Sequence, residues 1–419
     1  MRCRIALLVA AIVTCSSAAE SGSDSLLASV RSKVLASAET IPRYVCRQTL
    51  VRQTYASHQQ PTRTCGTLPE GVSFDPSQPD AMLALTNGIP GYTLISSDRA
   101  NLDVMIAGGV ELFSWPGGGK FLSNNPNDLL SGGFAGNGDF ASFIITAFSS
   151  GQTSFHYFGP CGPPPCARYR YDVPVAVGRY VVENPIEKTI VGYHGSIDID
   201  PQSADLLAAT VIPTDLQKAM PMACDTGTRM MYKRTTLNAS EFTIPEAVAQ
   251  EYFDGNGWYF SNWIQYNGCR QYSAESTIQF GNDGTAPRLG SSQPQAARAM
   301  PRRGSTLELR LVTNLDSGLS SAGDSVEAIL VRPVQARDGR AIPAGSMVSG
   351  HLTQVQRTYS PEPRVKIAIR FDTIVIDGRS TPVTLFPTGK VDRPGRGVFT
   401  FSRERVLLDR KFVSRWRVQ

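Results

Sequence analysis

Apolar positions recur with helical spacing near the start of the chain and with strand-like alternation over much of the rest. The spacing predicts an amphipathic helix over Ser25 to Ala38, with Asp24 as its N-cap. One face of this helix carries Leu26, Leu27, Val30, Val34 and Leu35. A second helix is predicted to begin at Asp139, after the glycine-rich run 132–138, and to continue through Phe148.

Short extended segments, most of them bounded by Gly, Pro, Asn or Asp, surround these helices. The predicted strands are Tyr44 to Gln53, Leu102 to Ala107, Val110 to Trp115, Thr153 to Phe158, Ala167 to Val173, Ile190 to Ile199, Arg229 to Thr235 and Ser276 to Phe280. Helices combined with such strands indicate an α+β fold built on an antiparallel sheet.

In the last part of the chain, apolar and polar residues alternate almost throughout. Leu307, Leu309 and Leu311 alternate with polar residues, and so do the apolar positions from Val365 to Phe371. Each such strand has one buried face. Turn residues at Asp338-Gly339 and Asp377-Gly378 separate the strands, which predicts a small all-β barrel or sandwich domain.

A stretch rich in Gly, Pro, Ser, Gln and Ala, from Gly281 to Gly304, divides the chain and is typical of a flexible linker. We expect a disulfide-containing domain over 20–281, a linker over 282–303, a small β domain over 304–402 and a basic tail over 403–419. The formal charge changes at the same place, from −5 over 1–296 to +10 over 297–419. This polarity suggests a C-terminal part that faces acidic envelope polymers or anionic lipid head groups, although a solvated basic surface is the favoured interpretation, and we expect no nucleic-acid partner.

The first 19 residues have the pattern of a secretory signal peptide. Arg2 and Arg4 precede the apolar run from Ile5 to Val13, and small residues lead to a cleavage site after Ala19. The run is too short to span a bilayer, and no later segment is long and apolar enough, so we expect no transmembrane span in the mature chain. The expected location is periplasmic or secreted. Acylation of Cys15 is a less favoured alternative, because Thr14 stands where a lipobox has a smaller residue.

Six cysteines remain after cleavage: Cys46, Cys65, Cys161, Cys166, Cys224 and Cys269. An even number in an exported protein favours disulfides, although six cysteines allow 15 connectivities. Pairing between sequence neighbours is the simplest, which gives Cys46–Cys65, Cys161–Cys166 and Cys224–Cys269. A count of free thiols in the denatured, unreduced protein would check that all six are bonded.

Composition supports a folded protein, since 41% of the residues are hydrophobic and only 18% are charged. Neither a G-x-S-x-G nor an H-E-x-x-H motif occurs, no two cysteines are spaced C-x-x-C, and the four histidines are scattered. His194 lies near Asp198 and Asp200, but strand alternation places these residues on one solvated strip. We therefore predict no catalytic residue, no metal site and no cofactor.

Several segments in order resemble an uncharacterised family of secreted proteins from soil bacteria. They are Ile41 to Gln48, Asp98-Arg99 with Leu102 to Val104, Glu111 to Trp115, Gly138 to Phe140, Gly192 to Pro201 and Gly268 to Ser276. That family looks like the half-barrels of outer-membrane lipoprotein carriers, in which a curved antiparallel sheet wraps helices around an apolar groove. The resemblance implies a helix-backed antiparallel β half-barrel over 20–281, and it supplies no site residues.

The C-terminal part resembles, over three segments, the β domain of type IV secretion outer-membrane channel components. These segments are Gly304 to Leu311, Ser320 to Ala328 and Ile342 to Gly350. The resemblance implies a shared small barrel rather than a channel role.

The last 17 residues combine cations with apolar side chains. The candidate surface-binding residues are Arg403, Arg405, Arg410, Lys411, Arg415 and Arg417. A basic segment with an apolar side can lie on an anionic surface. The favoured alternative is a final strand packed on the β domain with its charges in water.

The leading hypothesis is an exported, non-enzymatic binding protein of the cell envelope that holds a lipid, an acyl chain or a lipoprotein in an apolar groove. The alternative is a structural or scaffold module that docks other envelope proteins, and an unrecognised hydrolase is less favoured. An open apolar groove would indicate a carrier, whereas a sheet interior filled by side chains would indicate a scaffold.

Limited trypsin digestion tests the proposed linker. We expect the first cuts between Gly281 and Gly304, where Arg288, Arg298, Arg302 and Arg303 lie in a polar stretch. Mass spectrometry of the early products should give two stable fragments. First cuts inside Leu307 to Phe401 would place the boundary elsewhere.

Overall fold

The structure is a computed structural model, and it describes residues 4–58, 91–118, 121, 123–130, 142–162, 164–178, 180–183, 188–272, 300–388 and 396–419, with side chains from residue 22 onward. Strands account for 59% of the described residues and helices for 12%. The fold is therefore mostly β.

The first part of the chain supplies helices α1 to α4 and strands β1 to β12. The helices are α1 (Arg4–Thr40), α2 (Ser142–Ser149), α3 (Val175–Gly178) and α4 (Leu216–Ala219). The strands are β1 (Tyr44–Ser57), β2 (Tyr92–Ala107), β3 (Val110–Ser114), β4 (Ser154–Cys161), β5 (Cys166–Val173), β6 (Tyr180–Glu183), β7 (Lys188–Val191), β8 (Tyr193–Ile199), β9 (Leu206–Pro213), β10 (Ala223–Leu237), β11 (Ser240–Asp254) and β12 (Trp258–Gln271).

The described C-terminal part is built from strands. They are β13 (Thr306–Leu311), β14 (Leu315–Asp316), β15 (Ser325–Leu330), β16 (Val334–Gln335), β17 (Ala341–Ile342), β18 (Met347–Thr358), β19 (Arg364–Ile376), β20 (Arg379–Pro382), β21 (Leu385–Pro387), β22 (Gly397–Phe401), β23 (Leu407–Leu408) and β24 (Val413–Val418).

Antiparallel pairing joins most of these strands into one sheet of 18 strands. In the first part the strands pair in the order β4, β5, β8, β9, β10, β11, β12, β1, β2, β3. In the C-terminal part β18 pairs with β19 on one side and with β15 on the other, and β13, β24 and β21 continue from β15. The two parts meet where β18 pairs with β2.

The predicted fold class, α+β with a helix-backed half-barrel followed by a small all-β barrel or sandwich, is wrong. The protein is mostly β, and one antiparallel sheet that is not closed runs through both parts. The reason is the length of β2: β3 pairs with its end, from Asp103, whereas β18 pairs with Ser96 to Asp98 near its beginning. Alternation in a sequence identifies the buried face of a strand but not the strands beside it.

Helix α1 begins earlier than the sequence predicts. It runs from Arg4 to Thr40, so Asp24, the predicted N-cap, lies inside it. Helix α2 covers the end of the second predicted helix, whose predicted start at Asp139 lies outside the described residues, as does the linker up to residue 299. In the described part of the chain, no helix is both long and apolar enough to cross a membrane.

Two large apolar clusters lie against the sheet. The first joins inward side chains of β1 to β12 with α1 and α2, and Ala322 from the C-terminal part belongs to it. The second lies within 307–418 and includes Trp416, which is fully buried with its ring edge against Phe371. The predicted alternation of Leu307, Leu309 and Leu311 is confirmed, because all three side chains lie in the second cluster.

The junction between the two parts is tightly packed. The backbone of Asn101 donates to the carbonyl of Ala322, whose own amide donates to the carbonyl of Arg99. Gly323 adopts φ +93°, and a Cβ there would lie 2.2 Å from the carbonyl oxygen of Asn101. This close approach requires glycine. A small cleft beside the junction is lined by Arg52, Asp98, Arg99, Ala100, Leu130, Ala322, Thr353, Gln354 and Val355.

A buried ion pair lies at this cleft. Arg52 on β1 donates from Nε and Nη2 to the two carboxylate oxygens of Asp98 on β2, at 2.8 and 2.7 Å. The side chains are 7% and 11% exposed. Because the pair is bidentate and buried, removal of one partner leaves a charge in a poorly solvated place.

Replacing Asp98 tests how far the junction depends on this pair. Asp98→Asn removes the carboxylate and leaves the Arg52 guanidinium buried, so we expect it to lower the free energy of unfolding by about 3 to 5 kcal/mol. Urea unfolding measures the change. Glu362→Gln is the matched control, since Glu362 pairs with Arg364 at 71% and 57% exposure, and we expect its cost to be below about 1 kcal/mol. Equal costs for the two variants would mean that the junction does not depend on the buried pair.

An aromatic cluster lies on the opposite, outer face of the same strands. Tyr259 stacks on Phe253 at 4.3 Å between ring centroids and on Tyr55 at 5.4 Å. Its hydroxyl donates to the carboxylate of Glu251 at 3.1 Å. Burial, with a smaller contribution from nearby Asp225, raises the pKa of Glu251 to about 7.

This raised pKa predicts that stability falls as the pH rises. The folded protein holds the Glu251 proton up to a pH of about 7, whereas the unfolded chain releases it near 4.5. The stabilisation is complete below pH 4.5 and is lost as the pH rises to 7, by about 3 kcal/mol. We expect Glu251→Gln to remove this loss and to unfold at higher urea than the parent protein at pH 8. Glu246→Gln, on the same strand at 52% exposure, should leave the pH dependence unchanged; a parent-like pH profile for Glu251→Gln would contradict the assignment.

Candidate functional site

One face of the sheet in the first part of the chain, which we call the inner face, is a continuous apolar surface across the ten strands paired in order from β4 to β3. Alternate residues of each strand point to it, as on β5, where Tyr169, Tyr171 and Val173 are buried while Arg170 and Asp172 are exposed. The inner-face side chains of the central strands are Tyr44, Leu50, Leu102, Val104, Ile197, Val211, Met230, Tyr232, Val248, Ile264 and Tyr266.

Helices α1 and α2 cover this inner face. From α1, Val30 is fully buried, and Leu26, Leu27, Val34 and Leu35 pack against the sheet while remaining partly exposed. The predicted apolar stripe of this helix is confirmed, because all five residues contact the apolar cluster. From α2, Ile144, Ala147 and Phe148 are buried.

Two tyrosine hydroxyls fasten these helices to the sheet. Tyr169 donates to the backbone carbonyl of Ser23 in α1, and Tyr193 donates to the carbonyl of Phe143 in α2, both at 2.7 Å. Burial raises the pKa of Tyr169 to about 12, and it also raises the pKa of Tyr193. Both hydroxyls therefore stay protonated and act as donors at any physiological pH.

An ion pair also holds α1. Lys33 forms an ion pair with Asp205, which also pairs with Arg234 and accepts a hydrogen bond from the hydroxyl of Ser203 at 2.9 Å. Burial raises the pKa of Asp205, but the bonds from Lys33, Ser203 and Arg234 outweigh it and hold the pKa below its ordinary value. Asp205 thus stays ionised and attracts Lys33 at neutral pH.

One polar acceptor on the inner face lacks a hydrogen bond within the described residues. Gln48 on β1 is 3% exposed, and its Nε2 donates to the Tyr266 hydroxyl at 3.3 Å, while its Oε1 has no partner there. A buried acceptor without a partner is costly. Such an atom can accept a hydrogen bond from a ligand that enters the apolar surface.

The inner face is rich in aromatic side chains. Its aromatic side chains form a contact series in which Phe148 stacks on Phe155, Phe155 contacts Tyr171, and Tyr171 contacts Tyr193. Apolar and aromatic surface with a few placed polar atoms is typical of sites for apolar ligands.

The disulfides differ in part from the simplest pairing. Cys161–Cys166 is present, as neighbour pairing predicts. The predicted Cys46–Cys65 and Cys224–Cys269 bonds are wrong, because Cys46 is bonded to Cys269 and Cys224 therefore has another partner. β1 and β12 pair along their length, with Val45 opposite Arg270, which brings Cys46 and Cys269 together. Cys65 lies outside the described residues.

The sulfur atoms of Cys161 and Cys166 lie close to the Asp198 carboxylate, a spacing that would suit a metal. The disulfide removes both thiolates as ligands, and Asp198 accepts two hydrogen bonds from Arg168. The side chains of the predicted polar strip on β8 have separate surroundings. His194 is exposed, and Ser196 lies 3.1 Å from the hydroxyl of Thr210.

The end of the basic tail is part of the sheet. Within β24, Trp416 and Val418 are buried in the second apolar cluster, while Arg415 and Arg417 point outward. Of the other candidates, Arg403, Arg410 and Lys411 are exposed, and Arg405 forms a bidentate ion pair with Asp316. The apolar side of the segment is largely occupied, so contact with an anionic surface would rest on the exposed cations. Such binding remains a prediction.

Sequence reasoning missed Tyr169, Tyr193, Asp205 and Gln48. Tyr169 and Tyr171 at alternate positions of a predicted strand do indicate one aromatic face. The partner of Tyr169, however, lies 146 residues away, and no local pattern identifies a contact at that distance.

Comparisons with known proteins give little support to any assignment. No protein-family model and no curated protein matches the chain. Among solved structures, it is similar to a LolA superfamily protein from Nitrosomonas europaea, at 9% sequence identity and a TM-score of 0.24, over 58% of this chain and 92% of that one. A likeness this weak carries no argument about function.

Proposed function

We propose that the protein is an exported, non-enzymatic binding protein of the cell envelope, which accommodates an acyl chain or a similar extended apolar ligand on the inner face beneath α1 and α2. The observation that carries this proposal is that helices α1 and α2 cover the apolar inner face of the sheet. An apolar surface on a sheet that is not closed lies under two helices. Within the described residues, the hydrogen bonds and the ion pair named above help to fasten those helices.

The free energies of apolar burial favour replacement of the α1 side chains on the inner face by a ligand. Lifting α1 exposes a handful of apolar side chains, at about 1.5 to 3 kcal/mol for each that is fully buried and less for Leu26, Leu27, Val34 and Leu35, which are only partly buried. An acyl chain with about 14 methylenes gains about 11 kcal/mol on complete burial. The gain is large enough to displace the helix, and Gln48 Oε1 offers an acceptor to a donor group on the ligand.

A scaffold module is the second candidate, and the filling of the inner face favours it. Val30, Ile144 and Tyr171 are at most 2% exposed, so in the described residues side chains occupy the surface that a ligand would take. A scaffold would use the outer surface instead. The exposed cations Arg415 and Arg417 would then contact an anionic envelope surface by charge alone.

Native mass spectrometry separates the two candidates. Protein released gently from membranes should carry discrete added masses of lipid if it is a carrier, and none if it is a scaffold. Purified, delipidated protein should also bind the fluorescent fatty acid cis-parinaric acid. Tyr169→Phe removes one attachment of α1, and since a hydrogen bond contributes about 0.5 to 1.5 kcal/mol, we expect probe uptake to become about 2- to 10-fold faster.

Tyr359→Phe is the control, because this tyrosine lies in the C-terminal part beside Arg357, away from α1. Its uptake rate should equal that of the parent protein. The carrier proposal fails if membrane-derived protein has no added mass and the delipidated protein does not take up the probe.

A further inference from the structure

The tip of the β4–β5 hairpin exposes a compact aromatic surface. Tyr157 and Phe158 are adjacent in sequence and are 50% and 57% exposed. Pro160, Pro164 and Pro165 in the same tip are also exposed. We call the described residues of this hairpin end, 157–162 and 164–166, the aromatic tip. Neighbouring aromatic side chains that are exposed together indicate an interaction surface.

A disulfide and a tight turn fix the backbone of the tip and therefore the positions of these side chains. Cys161 and Cys166 face each other across the hairpin and are disulfide-bonded. A register shift between Tyr157 and Gly159 displaces Phe158 from the regular pairing. Gly162 adopts φ +111°, and a Cβ there would lie 1.8 Å from the carbonyl oxygen of Pro164, so only glycine fits the turn.

Within the hairpin segment the charged side chains have one sign, and the acidic side chain of Asp198 lies beside it. From Ser154 to Tyr171 the chain has two arginines and one histidine and no acidic residue. Arg168 is neutralised by Asp198, whereas Arg170 lies over the Phe158 ring at 3.8 Å and is exposed. An aromatic ring with a guanidinium on its face offers apolar contact and positive charge at the same point.

We propose that the aromatic tip docks the protein on the interface of an anionic phospholipid bilayer. Tyr157 and Phe158 would enter the headgroup region, where aromatic rings are favoured, and Arg170 would contact lipid phosphates. A protein partner would more often present acidic residues or a complementary groove, whereas a bilayer requires only a protruding aromatic tip with positive charge. This combination is what the hairpin carries.

The position of the tip connects docking with the inner face. The Tyr157 ring lies edge-on to Tyr169 at 5.3 Å, and the Tyr169 hydroxyl holds Ser23 of α1. A tip in the bilayer would thus place the attached end of α1 beside the lipid, where an apolar ligand could enter or leave. This last step rests on the proposed carrier function, but docking itself does not.

Co-sedimentation with vesicles tests the docking. The full chain should bind vesicles of phosphatidylglycerol and phosphatidylcholine in equal parts, bind pure phosphatidylcholine weakly, and lose binding in high salt. Tyr157→Ser with Phe158→Ser should lower the partition coefficient at least tenfold, the effect of about 1.4 kcal/mol of lost burial. Arg170→Gln should lower it a few-fold.

The matched control replaces two other exposed apolar side chains. Leu319 and Val110 are 70% and 49% exposed outside both the aromatic tip and the basic tail, so Leu319→Ser with Val110→Ser removes similar apolar surface and should bind like the parent protein. Circular dichroism confirms that both double variants fold. Unchanged binding by the tip variant, or loss of binding in the control variant alone, would overturn the proposal. Because vesicle binding is scored without a ligand, its failure is distinguishable from failure to carry lipid.

Discussion

The backbone pairing of β2 is the constraint on which the rest of the structure depends. This strand of 16 residues pairs with β1 along its length, and on its other edge with β3 near its end and β18 near its beginning. A shift of one residue in that register would turn Leu102 and Val104 away from the inner face and Asp98 away from Arg52. The apolar surface beneath the helices and the joint between the two parts are therefore fixed by the same set of hydrogen bonds.

Local patterns in the sequence predict the faces of strands well. The apolar positions from Leu307 to Leu311 and from Val365 to Phe371 are buried where alternation places them, and the apolar stripe of α1 contacts the sheet. Neighbours are another matter. Val355 on β18 is buried. Gln356 pairs with Lys366 on β19 and also lies opposite Asp98 on β2, and nothing in the sequence around Gln356 indicates this second pairing. The fold class was missed because it depends on that single pairing.

The candidate site shows the same limit at the level of side chains. Cys161 and Cys166 are close in sequence and bonded, whereas the partner of Cys46 depends on the register of β1 with β12. Tyr169 and Lys33 are ordinary residues of an amphipathic strand and helix, and only their distant partners, Ser23 and Asp205, give them a role in holding α1. The composition and the spacing of residues therefore cannot predict side-chain roles that depend on contacts between distant segments.

The joint at β2 also sets an order of events for folding. The side chain of Asn101 donates to Asp324 across 223 residues, and Cys46 reaches Cys269 over the same separation. A chain that crosses a membrane from its N-terminus would have β1 and β2 in place long before β18 arrives. During that interval the beginning of β2 presents an unpaired edge, which is a template for pairing with another chain. The C-terminal part thus completes this edge, and a protein truncated before it would be prone to aggregate although its first apolar cluster would lack only Ala322.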